Sequence, residues 1–152
     1  MKNSLINLLV FVIAVLAFKS CSKDDANNTV KIDASDIPAI EAAITGGDWK
    51  ISYYFDSDKD ETTDYAGYVF TFQSDGVLAV SNGSTALSGA WSLTNSSSDS
   101  SDVDFNIAFS SPEIFEELSD DWDIKKYSTT NVELFAISGG DESTDLLTFT
   151  KN

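Results

Sequence analysis

The most informative stretch of the sequence is Tyr68-Val-Phe-Thr-Phe-Gln-Ser-Asp-Gly-Val-Leu-Ala-Val-Ser81. Apolar side chains alternate with polar or small ones on both sides of Ser74-Asp75-Gly76, which is the pattern of two half-buried antiparallel strands joined by a tight turn. A second turn signal of the same kind, Asn82-Gly83, follows directly. The stretch therefore predicts consecutive β-hairpins.

The same period-two pattern continues on both sides of this hairpin and predicts eight short strands. They cover residues 48–55, 67–73, 77–81, 85–94, 103–109, 121–128, 131–137 and 144–151. On the first strand, Trp49, Ile51, Tyr53 and Phe55 are expected to share the inner face. Eight strands joined by tight turns predict an all-β antiparallel meander that closes into an up-and-down barrel, because closure removes its exposed edges. A two-sheet sandwich is the alternative.

A short helix is expected before the first strand. Its inner face holds three isoleucines at helical spacing, Ile37, Ile40 and Ile44. Ser35 or Asp36 is the expected N-cap, and Gly46-Gly47 ends the helix. A further helical turn is expected over residues 112–118. The predicted organisation is an export signal over residues 1–20, a lipidated flexible tether over residues 21–35 and a barrel domain over residues 36–152.

The N-terminus has the form of a bacterial export signal. A basic start is followed by an almost wholly apolar run over residues 5–18, which is short for a membrane span, and then by Cys21, the one cysteine of the chain. A lone cysteine cannot form an internal disulfide, and its position predicts lipidation after cleavage. The alternatives are an ordinary signal peptide with an incidental cysteine, or an uncleaved anchor.

The residues after this cysteine sharpen the prediction. Cys21-Ser22-Lys23-Asp24-Asp25 resembles the start of lipoproteins from the Bacteroidetes group of bacteria. The resemblance implies that Lys23, Asp24 and Asp25 act as a signal for export to the cell surface. The expected location is therefore the outer membrane, with the bilayer as a partner through acylated Cys21 and the domain on the cell surface.

The charge balance limits the chemistry that the chain can perform. It has 25 Asp and Glu, 9 Lys and no Arg or His, for a formal net charge of −16. Such a surface repels nucleic acid and anionic membranes. Without His, catalysis by Ser-His-Asp or Cys-His groups is excluded. We expect no enzyme, and a monomer. A carboxylate-based hydrolase, which needs only Asp and Glu, is the weakest alternative.

A second resemblance covers residues 45–151. Gly47-Asp48-Trp49, the stretch from Tyr68 to Gly76, and Ser88-Gly-Ala-Trp91 together resemble the lipocalin-like domains of Bacteroidetes lipoproteins. The resemblance implies an eight-stranded barrel closed at one end by a short helix, with Trp49 packed against that helix. The arginine that lipocalins carry on the last strand is missing, and Lys151 is the nearest cation.

Two sites are predicted. Inward aromatic side chains could line a pocket for a small apolar or amphipathic ligand, the alternative being a plain core: Tyr53, Phe55, Tyr68, Phe70, Phe72, Trp91, Phe105 and Phe109. Asp56, Asp58 and Asp60 alternate like carboxylates in a calcium loop, although Glu61 and Gly67 depart from the EF-hand pattern. An exposed charged hairpin without a cofactor is the alternative to calcium binding. The acids of alternate loops are expected to form a rim at the end away from Trp49.

Two functions follow. The first is a surface lipoprotein that binds a small ligand inside its barrel. The second is a non-enzymatic structural or interaction module, with a filled barrel, that contacts a partner through acidic loops.

Overall fold

In the computed structural model, which describes residues 31–95, 102–137 and 143–152, the chain forms one antiparallel sheet with two short helices. The helices are α1 (Ile37–Ile44) and α2 (Glu113–Glu116), and 3₁₀ turns cover Ala34–Asp36 and Thr62–Tyr65. The strands are β1 (Asp48–Asp56), β2 (Lys59–Asp60), β3 (Val69–Phe72), β4 (Val77–Ser81), β5 (Ala86–Asn95), β6 (Val103–Ala108), β7 (Asp120–Tyr127), β8 (Asn131–Ile137) and β9 (Thr144–Lys151).

The sheet closes on itself. From β3 to β9 each strand pairs with the next along the chain, β1 pairs with β3, and β1 also pairs with β9 over Trp49↔Lys151 to Phe55↔Leu146. The two-residue β2 adds only a short hairpin to the outer end of β1. The predicted all-β, eight-stranded antiparallel up-and-down barrel with a short N-terminal helix is confirmed.

Both hairpin turns, at Ser74-Asp75-Gly76 and Asn82-Gly83, form as predicted. Gln73 N donates to Val77 O over 2.9 Å, and Gly76 adopts a positive φ of 86° that an L side chain would resist. In the next hairpin Asn82 N donates to Thr85 O over 3.1 Å. These local bonds fix the register of β3, β4 and β5.

The start of the domain differs from the prediction. The cap is Asp33, whose Oδ1 accepts a hydrogen bond from Ser35 N over 2.8 Å, while Asp36 Oδ2 accepts one from Asp33 N over 3.0 Å. Of the two predicted caps, Asp36 does occupy the N-cap position of α1 but its side chain makes no capping bond to α1, and Ser35 lies inside the 3₁₀ turn that precedes the helix. Ile32 packs against the core, and so the last residues of the predicted tether are seated on the barrel.

Helix α1 covers one end of the barrel. Ile40 and Ile44 are fully buried, and the indole Nε1 of Trp49 donates to Ile44 O over 2.7 Å. Trp49 therefore packs against the helix as the resemblance implies. The Lys151 ammonium lies 5.4 Å from the Trp49 ring centre, which is a cation–π contact.

A β-bulge in β1 reverses part of the predicted inner face. Ile51 pairs with Phe149 but Tyr53 pairs with Thr148, and so one extra residue is inserted in β1. Because side chains alternate between faces, this insertion turns Tyr54 inward and Tyr53 outward. Tyr54 is buried, whereas Tyr53 is 38% exposed. The prediction that Tyr53 and Phe55 point inward was therefore wrong.

Candidate functional site

Aromatic rings fill the barrel from one end to the other. The ring of Phe72 lies 5.4 Å from Trp91 and 5.3 Å from Phe149, which in turn lies 5.5 Å from Phe70. Such distances are those of packed edge-to-face pairs. All four side chains are buried. The predicted pocket residues Phe70, Phe72 and Trp91 therefore form packed core.

The other inward aromatics belong to the same core. Phe105 lies 5.6 Å from Phe72, while Phe109 and Tyr68 lie 5.5 Å and 5.1 Å from Phe115. Six of the eight predicted pocket residues thus meet in the interior, as the alternative of a plain core expects.

The end opposite α1 is closed by its own loops. Phe115 lies 6.2 Å from Phe70 and 5.8 Å from Tyr65, and both Phe115 and Tyr65 are buried. The hydroxyls of Tyr65 and Tyr54 donate to the carbonyls of Ile114 and Glu117 over 2.6 Å and 2.9 Å. Burial raises the pKa of both tyrosine hydroxyls, and so they stay protonated as donors.

The acids of these closing loops crowd together. Burial and the neighbouring carboxylates of Glu61, Asp56 and Glu113 raise the pKa of Glu117. Loops 56–65 and 110–120 therefore form part of the expected acidic rim. The rim is also expected to include Asp141 and Glu142, which lie outside the described residues. The rim surrounds a closed end, because Tyr65, Phe115 and Leu118 are buried beneath it.

A cleft lies between α1 and β5, at the end of the barrel that α1 covers. It has a volume of about 210 Å³ and is lined by Ile37, Glu41, Ser74, Gly76, Trp91, Ser92 and Leu93. The indole Nε1 of Trp91 already donates to Gln73 O over 2.9 Å, and so it is not available to a ligand. The volume is below the range of about 300–1,000 Å³ that is usual for small-molecule pockets.

The predicted calcium hairpin does not assemble as a metal site. Among the residues that the structure describes, no three His, Cys, Asp or Glu side chains converge on one point. Asp56 pairs with Lys59 across the hairpin, Asp60 Oδ1 accepts a bond from Thr62 N over 3.0 Å, and Lys59 forms an ion pair with Glu61. Asp58 lies at the turn between them, and so the three carboxylates do not share one site.

A row of apolar side chains lies on the outer wall of the barrel. Phe55 of β1 is directly opposite Leu146 of β9, and Leu146 is directly opposite Phe135 of β8. The inward neighbours Tyr54, Leu147 and Leu134 are buried, which places the three apolar side chains on the outer face. We call Phe55, Leu146 and Phe135 the outer apolar row.

Further apolar side chains border this row. Tyr53 stacks on Phe55, with ring centres 6.4 Å apart and planes 9° from parallel. Ile137, two residues beyond Phe135, is 62% exposed. Sequence reasoning missed Phe135, Leu146 and Ile137. The signal that could have revealed them is three runs of consecutive apolar residues, at 53–55, 134–137 and 146–147. Such runs interrupt the period-two pattern and make both faces of neighbouring strands apolar.

Carboxylates continue the same row on both sides. Asp60 of β2 is opposite Phe55, Asp123 of β7 is opposite Phe135, and Asp104 of β6 is opposite Asp123. Partial burial raises the pKa of both Asp104 and Asp123. The carboxylates of Asp121, Asp123 and Asp102 raise the pKa of Asp104 further, and those of Asp102 and Asp121 raise that of Asp123. We call Asp104 and Asp123 the outer carboxylate pair.

No protein-family model and no curated protein sequence matches the chain. Among solved structures, the chain is similar to a DUF4847 family protein from Bacteroides vulgatus ATCC 8482, with 15% identity and a TM-score of 0.46. The similarity covers 74% of this chain and 97% of that protein.

The predicted anchor and export signal, Cys21, Lys23, Asp24 and Asp25, lie outside the described residues. Within residues 31–95, 102–137 and 143–152, no helix has the length and apolar character needed to cross a membrane.

Proposed function

We propose that this chain is a lipocalin-like lipoprotein of the Bacteroidetes type, held at the outer membrane by acylated Cys21, and that it acts as a non-enzymatic interaction module. Its barrel serves as a rigid scaffold, and its outer surface makes the functional contacts. Lys23, Asp24 and Asp25 direct the anchored domain to the cell surface.

One observation supports a scaffold over a carrier: the continuous chain of ring contacts that runs from Trp91 through the barrel to Tyr65. Each ring in this chain is in contact with the next, in the order Trp91, Phe72, Phe149, Phe70, Phe115 and Tyr65, and Phe115 closes the end through which a ligand would enter. Packed interiors leave few voids larger than a water molecule. A ligand inside the barrel would have to displace core side chains.

The length of the tether supports a domain held close to the membrane. Ile32 already packs on the barrel. The residues from Cys21 to Lys31 reach at most about 35 Å when fully extended. Three acyl chains on Cys21 would anchor the domain far more firmly than one, since a single chain binds membranes only marginally.

Native mass spectrometry of the protein purified without denaturation tests the filled barrel. We expect the mass of the protein alone, and no binding of an apolar fluorescent probe. Phe115→Ala, which opens space at the closed end, is expected to bind the probe, whereas Ile114→Ala, a half-buried neighbour, is not. A small molecule retained by the wild-type interior would overturn the proposal.

Metabolic labelling with a fatty acid tests the anchor. The wild-type chain is expected to be labelled and to enter the outer-membrane fraction, and Cys21→Ser is expected to lose both properties. Replacing Lys23, Asp24 and Asp25 by alanine should keep the label but remove the domain from the reach of protease added to intact cells. A labelled Cys21→Ser variant would contradict the assignment of the anchor.

Small-ligand binding is the second candidate function, and the cleft beside α1 favours it. Its apolar wall includes Trp91 and Leu93, and Glu41 supplies a negative charge at the edge. A small cationic molecule with an apolar portion would fit this chemistry. If such a molecule co-purifies, Glu41→Gln should weaken its retention, and Phe115→Ala should not affect it.

A further inference from the structure

We propose that the outer apolar row, together with its flanking carboxylates, binds a basic amphipathic segment of a partner protein. This inference rests on the proposed function, because it names the surface and the partner chemistry of the interaction module. The segment would place apolar side chains on Phe55, Leu146 and Phe135, and Lys or Arg on the carboxylates.

The apolar part of this surface has no partner within the described structure. Phe55, Leu146 and Phe135 are half-buried, and none of them is among the side chains that pack against the core. Adjacent strands are about 4.8 Å apart, and so the row is about 10 Å wide. Exposed apolar patches bordered by polar residues are typical of protein interaction sites.

The charge of the surface defines the partner. In the cross-strand row, Asp60 lies at one side, and Asp123 and Asp104 lie at the other. The exposed lysines Lys125 and Lys126 follow on β7, but Lys126 is directly opposite Glu133 and Lys125 lies in the bulge before it, and so neither belongs to the row, whose flanks are carboxylates. Complementary potentials favour a partner with cations on both sides of an apolar centre.

The same charge argues against two other occupants. A second copy would bring a further net charge of −16 against these carboxylates. A bacterial membrane surface is anionic and would be repelled in the same way. A basic polypeptide gains from both the apolar and the acidic parts of the row.

The outer carboxylate pair gives a further physical reason to expect a cationic partner at this surface. Like charges directly opposite each other on a sheet destabilise the free protein. Local rules of this kind are most often broken at functional sites. A cation placed between Asp104 and Asp123 would remove their repulsion, and so the free energy lost in the free protein would be recovered on binding.

Three synthetic peptides of equal length test the proposal at physiological ionic strength. One alternates Lys and Leu, one Lys and Ser, and one Glu and Leu. We expect the Lys/Leu peptide to bind about tenfold more tightly than the Lys/Ser peptide, with amide chemical-shift changes on β1, β9 and β8. The Glu/Leu peptide should not bind. Equal affinity of the two basic peptides, or shifts centred on the cleft beside α1, would overturn the proposal.

Matched variants separate the surface from general acidity. Leu146→Ser is expected to reduce the affinity for the Lys/Leu peptide at least about fivefold. Val69→Ser, at an outward residue on β3, should leave this affinity unchanged. Asp123→Asn should reduce the affinity for the Lys/Leu peptide more than Glu41→Gln does, although each substitution removes one negative charge. Equal effects within either pair would overturn the proposal. Thermal unfolding of each variant verifies that it folds.

Two outcomes point to a different occupant and would also overturn the proposal. One is a dimer of the wild-type protein in sedimentation that Leu146→Ser abolishes. The other is binding to phosphatidylglycerol vesicles that the same substitution abolishes. A negative peptide experiment would not affect the proposal of a filled barrel, since native mass spectrometry of the wild-type protein tests that proposal independently.

Discussion

The Lys151 ammonium lies 5.4 Å from the centre of the Trp49 ring, which is itself fixed by the bond from its Nε1 to Ile44 O. The last residue of β9 therefore covers the ring that seats α1 on the barrel. The stem of Lys151 also lies against Gly47, where a Cβ would be 3.1 Å from its Cε. Residues 44–49 and the end of β9, which are about a hundred positions apart in the sequence, therefore meet at this one lysine.

Lys151→Met is expected to destabilise the domain by about 0.5–1 kcal/mol, because it removes the cation–π attraction but keeps the apolar stem. Lys151→Arg keeps a cation over the ring and should retain wild-type stability. Chemical denaturation of the three proteins measures the differences. If Lys151→Met and Lys151→Arg were equally stable, the charge over Trp49 would have no role.

Gly89→Ala is expected to destabilise the domain by about 1–3 kcal/mol through overpacking. A Cβ at this position would lie 2.5 Å from Ala108 O and 2.6 Å from the Phe109 ring. The backbone carbonyl cannot move without disturbing the pairing of β5 with β6, and Phe109 is held by Phe115 at 5.5 Å. Thermal unfolding measures the loss.

Ala90→Ser is the control for this substitution. It lies next to Gly89 in the same strand but points to solvent, and so its effect should stay within about 0.5 kcal/mol. Similar losses for Gly89→Ala and Ala90→Ser would mean that the strand, and not the close approach of Phe109, sets the cost.

The strands and turns could be predicted because their signals are local. The turns at Asp75-Gly76 and Asn82-Gly83 and the period-two pattern together specify consecutive hairpins, and eight hairpin-linked strands close into a barrel. The bulge in β1 could not be predicted, since it depends on how β1 aligns with β9, about a hundred residues away. That single insertion moved Tyr53 and Phe55 from the inside to the outside.

The candidate site was predictable only in part. Phe70, Phe72 and Phe105 were correctly placed inside the barrel, but the sequence left open whether their rings would line a pocket or touch. Tyr65 and Phe115 close the far end from within loops rich in charge, where apolar residues carry no strand pattern. The outer apolar row depends on the pairing of three strands, and no single stretch of sequence contains it.

Calcium at millimolar concentration is expected to change the melting temperature of the wild-type protein and of Asp58→Ala equally. The reason is that Asp56, Asp58 and Asp60 do not converge, and that Lys59 and its ion pair with Glu61 occupy the same hairpin. If the hairpin bound calcium, a free calcium concentration of about a hundred times the dissociation constant would instead stabilise the wild-type protein by about 2.7 kcal/mol. Differential scanning fluorimetry with calcium, with magnesium and with a chelator distinguishes the two results.

Asp123→Asn is expected to stabilise the domain at pH 7 by about 0.2–1 kcal/mol, because it removes one member of a directly opposed pair of like charges. Burial, Asp102 and Asp121 raise the pKa of Asp123 in the folded state above its ordinary value of 3.8. A raised carboxyl pKa means that the folded state holds the proton more tightly, and so stability falls as the pH rises through the folded pKa.

The gain from Asp123→Asn should therefore be present at pH 7, decline as the pH approaches 3.8 and vanish below it, where Asp123 is protonated in both states. Scanning calorimetry at low ionic strength measures it, since salt screens the repulsion. In the Asp104→Asn background, Asp123→Asn should raise the free energy of unfolding by less than it does in the wild type, because one partner of the pair is already neutral. Glu41→Gln, far from the pair, controls for the loss of one charge. An equal gain at pH 3 and pH 7 would show that repulsion between the two strands is not its source.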